Sequence, residues 1–163
     1  MQDFKEALEI LEKSKEFKEW KKKNPEDYLS YALMIVDEKD TDWKIGYCNK
    51  QNKVTSFNVG NRIVMEPEDK VLQKEKKGIK EIDLGKAKLS MADAVTVAVN
   101  LQKEEFVTES PQKIIAILQT LDIGQIWNIT FFTQSFNTLN IKVKSENGRI
   151  LEKKIQPLFG MDK

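Results

Sequence analysis

The side chains that most often carry out chemistry are nearly absent from this sequence. It contains no histidine and a single cysteine, Cys48. Without imidazole, the Ser-His and Cys-His nucleophile pairs, histidine metal sites and the commonest general base are all excluded. One thiol makes neither a CxxC pair nor a thiolate zinc site, and with no histidine to activate it Cys48 reads as inert. Alternation places it on the strand face opposite Trp43, Ile45 and Tyr47, where it could be exposed. The seven glycines never gather into GxGxxG or GxxxxGK[ST], so no phosphate-cradling loop is visible. Aspartate and glutamate total 26, which keeps carboxylate-only catalysis open. Most of them alternate with lysines as solvated faces, and no acidic cluster stands on an apolar background. The expectation is a non-enzymatic protein with no cofactor and no metal site.

The chain-wide composition bounds the partners. At 163 residues, 40% hydrophobic and 33% charged, the chain can bury a core, as one domain or two small ones. Its formal charge of +1 gives no global field for nucleic acid or anionic lipid. The lysine runs at 21–23 and 74–77 are flanked by acids and read as a helix end and a linker. Apolar runs such as "IIAIL" are too short to span a bilayer. The first residues, "MQDFKEALEILEKSKEF", carry charge throughout and lack an h-region. These features predict a cytoplasmic protein, or an extracytoplasmic one if a signal or anchor precedes this stretch. A monomer or weak homodimer is expected.

The elements that must position any site repeat themselves. Trp43 and Trp127 lie 84 positions apart, and the same offset brings Ile45 to Ile129, Tyr47 to Phe131, Phe57 to Ile141 and Val59 to Val143. Further back it brings Ala7, Ile10, Leu11, Ser14 and Phe17 to Met91, Ala94, Val95, Ala98 and Leu101, at the spacing of one helix face. One offset therefore spans helix, hairpin and further strand, which predicts two copies of one unit, 1–78 and 79–163, joined near 76–88. The first unit reads as a helix over about 3–22, a hairpin in "YALMIVDEKDTDWKIGYC", a strand in "KVTSFNV" and a fourth in "EPEDKVLQ" after Pro67. The second opens with Ser90 as a helix cap and Asp93 in the first turn. Strands follow in "KIIAILQ", "IWNITFFT", "TLNIKVK" and "RILEKKI", with Asn147-Gly148 at a tight turn. The fold class is α+β: two pseudo-repeated units, each an amphipathic helix on an antiparallel β-meander.

The second unit, "LSMADAV…IWNITFF…LNIKVKSENGRIL", resembles a PepSY domain, and the first resembles a more diverged copy. Together they are similar to tandem PepSY-like proteins of archaea, across most of the chain. The resemblance implies a PepSY/cystatin-like fold and non-enzymatic work: inhibiting or regulating peptidases, or binding other proteins. Better-known members of the family act outside the cytoplasm. The sequence departs from the family's acidic DA-x-x-G turn by carrying Lys144 and Ser145 in the first two positions, so no ligand role transfers there.

Alternation also divides the second hairpin into two faces. Trp43 and Trp127, in step with their aliphatic neighbours at period 2, are expected to point beneath the helices as core. Asn128, Thr130, Phe132, Asn140 and Lys142 then face outward, and Phe136 lies in a polar turn where an apolar ring has no local reason to be. These six are the candidate protein-binding residues. The leading expectation is a regulatory module that recognises a protein or peptide, with peptidases among the candidates, through the outer surface of two adjacent sheets. The alternatives are a small-ligand carrier using an inter-repeat cleft, or a carboxylate-dependent enzyme.

Overall fold

The computed structural model describes residues 2–36, 41–70 and 78–159. Parts of the expected first turn and of the junction between units, at 37–40 and 71–77, lie outside the described residues. The elements run α1 (Phe4–Lys13), α2 (Lys15–Lys23), β1 (Tyr28–Val36), β2 (Trp43–Cys48), β3 (Lys53–Val59), β4 (Ile63–Lys70), a 3-10 turn (Leu84–Lys86), α3 (Met91–Glu105), β5 (Pro111–Leu121), β6 (Gly124–Thr133), β7 (Asn137–Lys144) and β8 (Ile150–Pro157). The eight strands of the described residues form one antiparallel sheet in the order β4-β3-β2-β1-β5-β6-β7-β8. Two adjacent sheets were expected from the sequence. They are one, because β1 and β5 pair directly, with Leu33 opposite Ile117 and Ala32 opposite Leu118.

The offset of 84 holds in the ladder. Ala32 pairs with Ile45 and Ala116 with Ile129; Trp43 pairs with Val59 and Trp127 with Val143. The helices follow a different offset, since α1 begins at Phe4 and α3 at Met91, 87 positions apart. Buried Phe4, Ala7 and Leu11 thus correspond to buried Met91, Ala94 and Ala98, three positions away from the sequence alignment.

The single helix expected over 3–22 is broken at Ser14, whose backbone is extended at φ −71° and ψ 150°. Its hydroxyl donates to the Leu11 carbonyl at 2.6 Å and accepts from the Phe17 amide at 3.1 Å. One residue therefore satisfies orphan groups at the end of α1 and the start of α2. The break re-aims α2 so that Phe17 and Trp20 lie over Tyr47 and Phe57, with ring centroids 5.1–5.6 Å apart. Ser90 caps α3 as expected, accepting from the Asp93 amide at 3.1 Å. The fourth strand starts at Ile63, ahead of Pro67, which an edge strand tolerates because one row of its N–H groups has no ladder partner. In the "ENGR" turn only Gly148 takes positive φ, at 81°.

Both helical layers cover one face of the sheet, and a single core cluster runs beneath them. Trp43 and Trp127 are each 1% exposed at its centre, with ring centroids 6.1 Å apart. Each indole N–H is satisfied just ahead of a helix: Trp43 donates to the Gln2 carbonyl at 2.9 Å and Trp127 to the Leu89 carbonyl at 3.0 Å. The described part of the connection ahead of α3, residues 78–90, is pinned across the sheet end. The Ile82 amide donates to Leu29, and buried Ser145 donates through its hydroxyl to the Lys86 carbonyl at 2.8 Å. Cys48, which alternation left open to exposure, is fully buried; its thiol donates to the Asn49 carbonyl, and burial pushes its pKa up.

Candidate functional site

With both helical layers on one face, the outward residues of every strand share the other. Ala32, Ile45, Trp127 and Ile129 point into the core, so their neighbours along the strands, Leu33, Lys44, Asn128 and Thr130, point away from it. Along β1 and β5 the outward positions are Leu33, Ile35, Ile115 and Ile117, adjoined by Phe132 on β6. All five are half-buried, and none belongs to the core cluster beneath the helices. They form an apolar stripe along the middle of the sheet.

Polar clusters frame the stripe on either side. On the β2–β4 side, Lys44 bridges to Glu66 at 2.7 Å, and the Asn58 amide donates to the same carboxylate at 3.0 Å. That pair holds the Lys44 pKa up and, with Asn58, the Glu66 pKa down. Tyr31 lies flat across Gly46, where a Cβ would fall 2.0 Å from its ring, and its hydroxyl meets Ser56 Oγ at 2.7 Å. Glycine at 46 is thus what lets the Tyr31 ring cross the outer face.

On the β5–β8 side a continuous network joins Lys142, Asn140, Asn128 and Gln119. Lys142 Nζ donates to Asn140 Oδ1 at 2.6 Å, Asn140 Nδ2 to Asn128 Oδ1 at 2.6 Å and to Thr130 Oγ1 at 2.9 Å, and Asn128 Nδ2 to Gln119 Oε1 at 2.8 Å. The Lys142 side chain is only 16% exposed, and Glu152 stands 3.5 Å from its ammonium.

Five of the six residues singled out in the sequence are therefore brought together: Asn128, Thr130, Phe132, Asn140 and Lys142. Phe136 stands apart. It ends the β6–β7 turn at φ 60°, is 63% exposed, and packs its ring against Phe159, 6.1 Å away between centroids. The turn is held from below by buried Glu109, which accepts from Thr133 Oγ1 at 3.0 Å and Asn137 Nδ2 at 2.8 Å. Bonds from Asn137, then Thr108 and Thr133, hold the Glu109 carboxyl below the usual carboxylate range. The sequence reading missed Leu33, Ile35, Ile115, Ile117, Tyr31 and Gln119. A signal for the aliphatic four was present in the runs "ALMIV" and "IIAIL", which are apolar at consecutive positions and so on both strand faces.

Among the described residues, no three His, Cys, Asp or Glu side chains gather closely enough to hold a metal ion, and no helix is long and apolar enough to cross a membrane. A shallow hollow beside α1 is lined by Lys5, Leu8, Glu9, Glu12, Lys13 and Leu84, mostly long charged side chains. No protein-family model matches the chain, and no curated protein sequence matches it. A likeness is found in the crystal structure of a "putative lipoprotein" from Clostridium difficile 630. It has a TM-score of 0.58 at 14% identity and covers 86% of this chain and 90% of that one. At that identity the likeness is one of fold.

Proposed function

We propose that the protein is a non-enzymatic recognition module that binds another protein or peptide through the outer face of its sheet. The observation that carries this reading is the apolar stripe of Leu33, Ile35, Ile115, Ile117 and Phe132, left half-covered between two polar clusters. An apolar centre with a polar rim is the anatomy of protein interfaces. Large aliphatic and aromatic groups on a rigid sheet also lose little conformational freedom on binding.

We further read the chain as two PepSY-like units. The shared offset of 84 in the ladder and the parallel placement of the two tryptophans support it, as does the sheet order, which reads alike outward from β1 and from β5. The PepSY resemblance makes peptidases one partner class to test. The description of the clostridial protein as a lipoprotein favours the extracytoplasmic alternative for compartment.

The test is affinity capture from native lysate with the wild type, a Leu33→Ser/Ile117→Ser variant, and a Glu16→Gln control on exposed α2. A protein captured stoichiometrically by the wild type and the control, but not by the outer-face variant, is the expected result. Equal capture by all three would remove the sheet face from the reading. Captured candidates with peptidase activity are then assayed with and without the protein.

A further inference from the structure

The hydrogen-bond network on β5–β7 has a fixed direction, because lysine has donors and no acceptor. Lys142 obliges Asn140 to present its oxygen, so Asn140 turns its amide nitrogen to Asn128 and Thr130. Asn128 must then accept through oxygen and donate onward, and Gln119 must accept through Oε1. The chain begins at an ammonium and ends at the Gln119 amide NH2, which has no acceptor among the described residues. Donors are thus left over at both ends.

The charges agree. On the outer face of β5–β8, Lys113 lies opposite Phe132, Lys142 opposite Asn128 and Lys154 opposite Asn140, against Glu152 alone. Lys113 and Lys154 are exposed and have no ion-pair partner among the described residues. Lys142 is held in place by Asn140 and largely desolvated, where a carboxylate gains most from it.

We propose that this half of the face selects an acidic protein segment. Its carboxylates meet Lys142 and the flanking Lys113 and Lys154, an acceptor takes the Gln119 amide, and an aliphatic or aromatic side chain settles on Ile115, Ile117 and Phe132. This rests on the reading of the outer face as the recognition surface and adds the chemistry of what it recognises.

A phage-displayed library of random 12-residue peptides panned on the full-length protein tests it. Enriched peptides are then synthesised and their Kd measured against wild type, Lys142→Met, Lys113→Gln/Lys154→Gln and Ile117→Ser, with folding checked by thermal melting. Lys113 and Lys154 are exposed, so the double variant remains informative even if Lys142→Met is destabilised. The expected consensus places Asp or Glu beside Leu, Ile, Phe or Trp, with Kd raised at least tenfold by the double lysine change and by Ile117→Ser. Neutral or basic consensus peptides that lose binding to Ile117→Ser alone would overturn the acidic specificity and leave the face. Acidic peptides indifferent to every one of these changes would overturn both. Tighter binding of an oligothymidylate that displaces the peptides would assign the lysines to nucleic acid and also overturn the proposal.

Discussion

Replacing Trp127 by alanine and Phe132 by alanine, five positions apart on one strand, should damage different properties. Trp127 is 1% exposed, contacts Trp43 across the middle of the core and donates to the Leu89 carbonyl. Truncating a buried aromatic typically destabilises by about 3–5 kcal/mol. For a chain of this length each kcal/mol lowers Tm by about 2–4 °C, so the loss should be about 6–20 °C. Phe132 is half-buried on the opposite face and outside the core cluster. Fully burying a phenylalanine is worth about 1.5–3 kcal/mol, so half that burial implies a loss of about 1 kcal/mol, or about 2–4 °C. Circular dichroism during thermal and urea unfolding measures both without relying on tryptophan emission. A milder double cycle, Trp43→Leu with Trp127→Leu, should show a coupling of about 0.5–1.5 kcal/mol from the ring contact. Equal losses from the two alanine variants, or a larger loss from Phe132→Ala, would refute the assignment of faces.

Three further outcomes follow from single groups. Tyr47 is buried and its hydroxyl has no hydrogen-bond partner among the described residues, so Tyr47→Phe should raise stability by about 1 kcal/mol in urea denaturation. Glu109 has a folded pKa below its unfolded value, near 4.3, so its contribution is present above that pH and lost as pH falls through the folded value. Glu109→Gln should therefore flatten the acid limb of a Tm-against-pH profile below about pH 5; an unchanged limb would contradict the clamp on the β6–β7 turn. Phe136 holds a left-handed backbone that costs a non-glycine residue about 1–2 kcal/mol, whereas glycine loses about 0.5–1 kcal/mol in chain entropy. Phe136→Gly should come out about 0.5 kcal/mol more stable, and a clear loss of stability would show that packing on Phe159 matters more than backbone strain.

What was legible in the sequence was whatever local chemistry determines. The tryptophans, their alternation and the offset between them placed six of the eight strands, and a serine before an apolar helical run placed the cap of α3. The break at Ser14 was not legible, because Lys and Glu continue on both sides of it and sustain a helical pattern. Only the tertiary need to bury Leu11 and Phe17 on different parts of the sheet selects it. The β1–β5 pairing joins residues 78 to 88 positions apart, and no local signal specifies such a contact. Leu33, Ile35, Ile115 and Ile117 were not singled out, although consecutive apolar residues in a strand mean that both faces are apolar. The direction of the amide network depends on which side chains meet, which periodicity cannot supply.

The outer face as the recognition surface is tested most directly by photo-crosslinking in native lysate. p-Benzoylphenylalanine is placed at position 132 in one protein and at the exposed Glu16 position on α2 in another, and adducts are resolved by mass after irradiation. The expected result is a discrete adduct from position 132, weakened by Ile117→Ser in the same chain, and none of that mass from position 16. The same adduct from position 16 alone, or from 132 with no sensitivity to Ile117→Ser, would show that partners do not bind the open face of the sheet.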